Sequence, residues 1–228
     1  MDKNVLIVHY NTPELTDALV RSIKKHTPDS RITIFDNSDT RPFPKVEGVD
    51  ILDNTKGQLI DFDRFLSMFP ERIPSTNDWG SAKHCFTIDF CFRYFEKGFV
   101  LLDSDVLVKK DLTELWNPEK IWVGQSHITA KHKVNVPRLY PFCCFINTEM
   151  CKKKGIRYFN GEYMWQLTDH PIRSWYDTGA WFLSATRELP FEEIMVTDYI
   201  VHYGGGSFRK DKEITPEIWL ELNEKLYK

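Results

Sequence analysis

Three short apolar runs that each end in polar residues constrain the fold more than any other feature of the sequence. They are residues 5–8, residues 32–35, where Thr33 is the one polar residue, and residues 99–102. Such runs are typical of parallel strands that are buried on both faces by covering helices. Between the first two, Thr-Pro-Glu at residues 12–14 supplies an N-cap, a proline for the first helical position and an acid for the first turn. The chain therefore opens as strand, helix, strand, and a short right-handed crossover makes the two strands parallel.

Weaker patterns extend this opening into a larger α/β domain. Apolar periodicity predicts a helix over residues 59–69, and a longer helix over residues 81–97 with Ser81 as a capping residue and Gly98 as the C-cap. The remaining predicted elements are strands at 49–52, 121–124, 141–147 and 199–202, and a final amphipathic helix opened by residues 215–217. In a sheet of this kind, ligands bind beyond the carboxyl ends of the strands.

Composition restricts the class of protein and its partners. Hydrophobic residues make up 42% and charged residues 28% of the 228 residues, which is ordinary globular usage and excludes a disordered chain. The net charge of -3 argues against a nucleic-acid partner, because general nucleic-acid binding leaves a basic footprint.

Cysteine usage and hydropathy predict where the protein works. The five cysteines have no CxxC spacing, and we expect free buried thiols in a reducing compartment. The first apolar run is too short for a signal peptide or a membrane span. We expect a soluble cytoplasmic protein. Any membrane contact would be peripheral, through the final helix and the basic Arg209, Lys210 and Lys212.

The pair Asp103 and Asp105 carries the strongest chemical signal. It follows directly after the apolar run at residues 99–102. In extended backbone, residues i and i+2 point the same way, so the two carboxylates repel unless a cation or solvent separates them. Oxygen ligands of this kind suit Mn²⁺ or Mg²⁺, and either ion neutralises a diphosphate. A solvated acidic turn is the alternative.

The exits of the first two strands supply candidate contacts for a nucleotide. His9, Tyr10 and Asn11 follow the first strand, and Asp36 and Asn37 follow the second. In the predicted sheet both exits face one crevice, where Asp36 is placed to bind ribose hydroxyls or a base edge. Simple turn formation, which Asp and Asn favour, is the alternative for the second exit.

Three further segments add candidate residues. Lys83 and His84 lie near the start of the long predicted helix, within reach of a phosphate at its N-terminus. His202 precedes three glycines that allow close backbone approach to a ligand, and as a third metal ligand it favours Mn²⁺. Asp177, beside Thr178 and Gly179, is a candidate general base for an acceptor hydroxyl. A capped helix, a structural histidine and a turn aspartate are the respective alternatives.

Taken in order along the chain, these segments resemble the GT-A fold glycosyltransferases, and most closely the family 2-like bacterial enzymes. The resemblance covers most of the chain and rests on the order and spacing of its parts. Those parts are residues 5–14, Asp36-Asn37, Gly-Ser-x-x-His at 80–84, Leu-Leu-Asp-Ser-Asp-Val at 101–106, Asp-Thr-Gly at 177–179 and the His202-glycine segment. Residues 101–106 look like the Asp-x-Asp motif of this family.

The resemblance implies a Rossmann-like, mostly parallel central sheet flanked by helices, with a smaller mixed sheet near the acceptor side. Residues 1–105 would form the nucleotide-binding half of a single domain, and residues 106–228 the acceptor-side half. It further implies a nucleotide-diphosphate sugar donor, often a UDP-sugar, and a glycan, glycolipid or other hydroxyl acceptor, as in polysaccharide biosynthesis. The residues implied for the donor are His9, Tyr10, Asn11, Asp36, Asn37, Lys83, His84, Asp103 and Ser104; those implied for the metal are Asp103, Asp105 and His202; the base is Asp177.

Several functions stay open at the level of sequence. The single Asp177 replaces the acidic pair of inverting enzymes, and the histidine-glycine ending is similar to retaining family 8 enzymes, although their Lys-Pro-Trp is missing. A nucleotidyltransferase would need a glycine-rich loop after the first strand, and residues 9–12 contain no glycine. A non-catalytic nucleotide-sugar-binding module would need no acid placed like Asp177.

Overall fold

The computed structural model describes residues 2–69, 76–128, 137–164, 177–205 and 213–228. The strands are β1 (Asn4–His9), β2 (Arg31–Asp36), β3 (Val49–Asp53), β4 (Phe99–Asp103), β5 (Val106–Val108), β6 (Trp122–Ile128), β7 (Pro137–Ile146), β8 (Glu192–Glu193) and β9 (Ile200–His202). The helices are α1 (Pro13–His26), α2 (Phe62–Ser67), α3 (Thr76–Cys91), α4 (Thr148–Lys154), α5 (Gly161–Met164), α6 (Ala180–Thr186), α7 (Pro216–Leu222) and α8 (Glu224–Tyr227), with 3₁₀ turns at Thr113–Leu115 and Val196–Asp198.

Seven strands form the central sheet, in the order β3-β2-β1-β4-β7-β6-β8. The neighbours β3, β2, β1 and β4 are all parallel, and β8 is parallel to β6. Only β7 among these seven runs the other way, antiparallel to both β4 and β6. The chain steps from β1 to β2 on one side and later to β4 on the other, so a crevice opens at the carboxyl ends of these strands. The predicted mostly parallel sheet is confirmed.

A smaller sheet lies beside the central one. It pairs β5 with β9 in antiparallel register, with Val106 opposite His202 and Val108 opposite Ile200. The predicted second sheet is therefore present, and in the described part of the chain it is an antiparallel pair.

Helices cover both faces of the central sheet, as the apolar runs predicted. Val5 and Ile7 of β1 belong to the same apolar cluster as Leu19 and Ile23 of α1. Leu6, which points to the opposite face, belongs to the cluster that contains Cys85, Ile88 and Cys91 of α3. Each fully buried aliphatic side chain of this kind contributes about 1.5–3 kcal/mol relative to exposure. Burial on both faces is the reason that these strands read as continuous apolar runs.

The boundaries of the long helix differ from the prediction. α3 begins at Thr76 and ends at Cys91, so Ser81 lies inside the helix and does not cap it. After Cys91 the backbone hydrogen bonds join residues three apart instead of four: the N–H of Tyr94 donates to Cys91 O at 2.9 Å. Gly98, predicted as the C-cap, has φ of +138° and leads into β4. A Cβ there would lie 2.4 Å from Ile146 O, so this glycine permits the close approach of β4 and β7.

The five cysteines are free and buried, as predicted. Burial raises the pKa of the Cys85, Cys143 and Cys151 thiols to about 12, which keeps them protonated and unreactive. Within the described ranges, no helix is both long enough and apolar enough to span a bilayer.

Candidate metal and donor site

Asp103, Asp105 and His202 come together at the carboxyl end of β4. One ligand atom from each of the three lies within 4.8 Å of the others. His202 Nε2 is 3.2 Å from Asp105 Oδ1. The ring of Phe142 stacks on the His202 imidazole at a centroid distance of 4.2 Å, which fixes the orientation of that ring. The structure thus assembles the three residues that the sequence proposed as metal ligands.

A turn brings the two aspartates together, and strand alternation does not. β4 ends at Asp103, Ser104 and Asp105 form a turn, and β5 begins at Val106. The N–H of Tyr203 donates to Asp105 O at 2.9 Å, which ties this turn to the exit of β9. Asp103 and Asp105 therefore lie close together, as predicted, but through a turn and not through extended backbone.

The surroundings of Asp103 test whether a divalent cation fits. Asp103 Oδ1 is buried and has no hydrogen-bond partner among the described residues. His84 Nε2 lies 3.3 Å away, without hydrogen-bond geometry. A buried carboxylate oxygen without a partner is costly in a folded protein, and a cation bound by Asp103, Asp105 and His202 would remove that cost. Two carboxylates and one imidazole fit Mn²⁺ well.

His9 lies beneath the surface of the crevice. Its side chain is fully buried, with Nδ1 2.8 Å from Thr16 Oγ1 and Nε2 3.3 Å from Arg41 O. Burial lowers the pKa of this imidazole below 6.5, although the nearby Asp36 opposes the shift. In this structure both ring nitrogens of His9, which was predicted to contact the donor, anchor the exit of β1.

Asp36 is also occupied by the protein. Its side chain is 2% exposed. Oδ1 accepts from the N–H of Ser38 at 2.9 Å, and Oδ2 accepts from the N–H of Phe43 at 2.7 Å. Asp36 shapes the loop over residues 37–43, which is the turn-forming alternative left open by the sequence. That Asp36 binds ribose hydroxyls or a base edge stays a prediction.

Three of the predicted donor contacts at this edge are at least partly exposed: Tyr10, Asn11 and Asn37. Tyr10 is 40% exposed and its hydroxyl donates to Asp39 at 3.0 Å. Asn11 adopts φ of 55° and accepts from the N–H groups of Thr40 and Arg41. The Nδ2 of Asn37 donates to Thr87 at 3.0 Å. These contacts preset the rim of the crevice.

Ser104 and the start of α1 meet across the crevice. Ser104 Oγ is 3.1 Å from Thr12 Oγ1. Thr12 occupies the N-cap position and Pro13 follows it, as predicted, but the Thr12 side chain makes no cap bond to the helix. Its hydroxyl faces the Asp103-Ser104-Asp105 turn instead, which the local cap signal could not reveal.

Lys83 and His84 point in different directions. Consecutive residues of an α-helix are about 100° apart around its axis. His84 faces Asp103, whereas the Lys83 ammonium lies 5.2 Å from the centroid of the Phe62 ring. In this structure His84 belongs to the cluster around the aspartates, and Lys83 packs its cation over an aromatic face.

Among the described residues, Asp177 contacts Ser81, Thr178 and Arg138. Its Oδ1 accepts from Ser81 Oγ at 3.1 Å and from the N–H of Thr178 at 2.8 Å, and its Oδ2 is 2.8 Å from Arg138 Nη1. Ser81 and His84 lie three residues apart on α3, about 4.5 Å along the helix axis. The residue that contacts Asp177 and the residue that faces Asp103 are therefore about one helical turn apart on α3.

Sequence reasoning missed Arg138, Phe142 and the bonding role of Ser81. Arg138 lies near the start of β7 in a segment with no motif, and only the fold brings it to Asp177. Gly206, the last of the three glycines after His202, and the basic Arg209, Lys210 and Lys212 lie outside the described residues.

Solved structures resemble this chain although its sequence is remote from them. No protein-family model matches the sequence, and no curated protein does. The glycosyltransferase GlyE of Streptococcus pneumoniae TIGR4 superposes with a TM-score of 0.51 and 13% identity over 87% of this chain and 46% of GlyE. The galactosyltransferase LgtC, solved with donor and acceptor sugar analogs, superposes with a TM-score of 0.53 and 10% identity over 85% of this chain and 73% of LgtC. An active-site mutant of LgtC gives a TM-score of 0.54 at 11% identity, over 94% of this chain and 81% of the mutant.

The chain has the GT-A glycosyltransferase fold. It spans about half the length of GlyE. Within the GT-A fold of this chain, the Asp103-Ser104-Asp105 turn lies at the end of β4 and beside the crevice. At these identities the likeness establishes the architecture alone.

Proposed function

We propose that this chain is a metal-dependent glycosyltransferase that moves a sugar from a nucleotide-diphosphate sugar to an acceptor hydroxyl, with inversion at the anomeric carbon. A UDP-sugar is the first donor to test, and a glycan or glycolipid the first acceptor, as in polysaccharide biosynthesis. One observation carries the proposal. Asp103, Asp105 and His202 converge at the carboxyl end of β4, and one buried oxygen of Asp103 has no hydrogen-bond partner within the described chain.

The proposed metal ligands are Asp103, Asp105 and His202. Their hard oxygens and one imidazole nitrogen suit Mn²⁺, with Mg²⁺ as the alternative. When bound, the cation would neutralise the negative charge that develops on the departing nucleoside diphosphate. His84, 3.3 Å from Asp103 Oδ1, is the neighbour placed to orient that carboxylate.

The proposed donor crevice lies between the exits of β1 and β4. Tyr10, Asn11 and Asn37 line its rim, and Ser104 faces it from the other side. His9 and Asp36 hold the rim in place from below, since their polar atoms are bonded to Thr16, Ser38 and neighbouring backbone. A rim that is preset in this way binds a ligand at a lower ordering cost.

Asp177 is the proposed base for the acceptor hydroxyl. Ser81, Thr178 and Arg138 fix both of its oxygens, so the carboxylate is well oriented for a substrate hydroxyl that replaces one of these partners. Proton transfer to Asp177 would accompany attack of the acceptor oxygen at the anomeric carbon. The bond from that carbon to the diphosphate oxygen would break in the same step.

The same contacts of Asp177 favour a second candidate, a retaining transferase. With both carboxylate oxygens engaged, Asp177 serves equally well as a clamp between α3 and β7. In that reaction the departing diphosphate would take the proton of the acceptor. Product stereochemistry separates the two candidates.

Metal-dependent nucleotide binding tests the proposal. We expect UDP or GDP to bind with one-to-one stoichiometry in the presence of Mn²⁺, as measured by calorimetry, and sugar nucleotides to be slowly hydrolysed. The variants Asp103→Asn and Asp105→Asn should each weaken binding by about tenfold or more, because each removes a charged ligand. Asp17→Asn, a matched change on the surface of α1, is the control. Unchanged metal-dependent binding in both site variants would contradict the proposal.

A further inference from the structure

The turn over residues 103–105, here called the metal turn, is tied to two remote parts of the chain. At its middle, Ser104 Oγ lies 3.1 Å from the hydroxyl oxygen of Thr12, which directly precedes α1. At its end, the carbonyl of Asp105 accepts the N–H of Tyr203 at 2.9 Å. The place of the turn therefore depends on what holds Tyr203 and the start of α1.

Tyr203 is held by the segment that carries the C-terminal helices. Its hydroxyl donates to the carbonyl of Ile214 at 2.7 Å, two residues before α7. Its ring packs against the indole of Trp219 on α7, with centroids 5.4 Å apart and an angle of 57° between the planes. The tyrosine thus contacts the metal turn through its backbone and the C-terminal helices through its side chain.

The last of these helices, α8, is fixed to α1. Lys25 Nζ and His26 Nε2 lie 2.9 and 3.2 Å from the carbonyl oxygens of residues 225 and 226. The Arg21 guanidinium lies 4.8 Å from the centroid of the Tyr227 ring. Donor and cationic groups are favourable beside the free carbonyls at a helix C-terminus. The contacts therefore close a ring that runs from the metal turn through α7, α8 and α1 back to the turn.

Helix α7 buries little apolar surface of its own. None of its seven described residues is buried, and Ile218 and Leu222 are 44% and 68% exposed. Trp219 is partly buried and packs on Tyr203. A helix this short does not hold its position by helix propensity, so its place depends on individual contacts. Loss of the Trp219 ring should therefore be felt at the metal turn.

We propose that Tyr203 and Trp219 are positioning residues that hold the metal turn in the geometry that binds a divalent cation. The inference rests on the proposed function for the cation itself. Its own evidence is the ring of contacts, in which Asp105 is bonded to Tyr203, and the pairing of β9 with β5, which places His202 beside Asp105. A ligand set that is ordered before the ion binds loses less conformational entropy on binding.

Titration of Mn²⁺ alone into the full chain tests the inference without nucleotide or acceptor. The EPR signal of the free ion gives the affinity. We expect Trp219→Leu to weaken Mn²⁺ binding about fivefold and Tyr203→Phe about threefold, because each removes one contact of the tyrosine. Trp219→Phe keeps a ring against Tyr203 and should stay within about twofold of the wild type. Tyr227→Phe is the matched control, because the Tyr227 hydroxyl bonds Leu220 O within the terminal helices.

Amide hydrogen exchange gives a second readout that needs no metal. The N–H of Tyr203 donates to Asp105 O, so its exchange in the metal-free protein reports how firmly the metal turn is held. We expect Trp219→Leu to speed this exchange about fivefold, with the amides of β1 unchanged. An equal acceleration in β1 would indicate a general loss of stability and overturn the inference, as would an unchanged rate at Tyr203.

The outcomes keep the two proposals apart. If Asp103→Asn weakens Mn²⁺ binding and Trp219→Leu does not, the inference is overturned and the proposed function stands. If Asp103→Asn leaves Mn²⁺ binding unchanged, the proposed function is overturned, and the metal role of Tyr203 falls with it. Faster exchange at Tyr203 alone would then assign Trp219 to the order of the turn and not to a metal.

Discussion

His202 Nε2 lies 3.2 Å from Asp105 Oδ1 because β9 pairs with β5 in a register that places His202 opposite Val106. The two residues are far apart in sequence, and the small antiparallel sheet is what joins them. This contact distinguishes the site from an acidic turn that merely faces solvent, since it adds an imidazole to a pair of carboxylates.

Replacement of His202 should alter the choice of metal. We expect His202→Asn to reduce Mn²⁺-dependent nucleotide affinity by about tenfold or more and Mg²⁺-dependent affinity by less, because imidazole suits Mn²⁺ better than Mg²⁺. Calorimetry with UDP in each metal measures both values. His26→Asn, on α1, is the control, and equal loss with the two metals would contradict a role for His202 as a ligand.

Asp177→Asn tests the proposed base. The amide keeps the shape of the side chain but cannot take a proton, so we expect kcat to fall about 100-fold or more while the KM for the donor changes little. The measurement is steady-state release of nucleoside diphosphate with a saturating acceptor. Full activity in a folded Asp177→Asn variant would assign this residue to the structural clamp and favour the retaining mechanism.

Asp36 should matter for stability and not directly for ligand contact. Asp36→Asn places an amide N–H group against one of the backbone N–H donors of Ser38 or Phe43, and we expect a loss of about 2 kcal/mol in the free energy of unfolding. Urea denaturation measures this loss. Asp29→Asn is the matched control at an exposed carboxylate in the turn between α1 and β2, where a change below about 0.5 kcal/mol is expected. A weakened nucleotide affinity with unchanged stability in Asp36→Asn would restore Asp36 as a donor contact.

Gly179 should not tolerate a side chain. It has φ of +84°, and a Cβ would lie 2.2 Å from Leu139 O, against backbone that cannot move aside cheaply. We expect Gly179→Ala to lower the free energy of unfolding by about 2 kcal/mol or more through strain and overpacking, and to displace Asp177. Thermal unfolding measures the stability. Gly155→Ala is the comparison: its φ is +67° and no atom of the described residues lies within 4 Å of the Cβ, so only the backbone strain remains.

His9 should make stability depend on pH. Its folded pKa is lowered by burial below the ordinary 6.5, so the unfolded chain binds a proton more readily than the folded one. The contribution of His9 to the free energy of unfolding is fully present above about pH 6.5 and is lost as the pH falls below that value. Urea titrations across this range should show a steeper acid loss for the wild type than for His9→Asn. Parallel pH profiles for the two proteins would show that His9 does not carry the effect.

The strands and their polar exits could be predicted from sequence because burial on both faces of a strand requires apolar residues at successive positions. Residues 5–8, 32–35 and 99–102 read as apolar runs and form β1, β2 and β4. Helix ends were less predictable. Serine and glycine are common helix caps, but Ser81 donates a hydrogen bond to Asp177, and Gly98 leaves room for the backbone of β7. Both roles depend on partners that are distant in the chain.

The sequence alone determined that polar groups would gather at the carboxyl ends of a parallel sheet, because strand periodicity and strand exits are properties of neighbouring residues. It named Asp103, Asp105 and His202 together. Only the tertiary structure decided which polar groups face the crevice. His9 and Asp36 are buried beneath it, while Arg138 arrives on β7 to hold Asp177. Burial and hydrogen-bond partners are set by packing between remote segments, and no local pattern of residues records them.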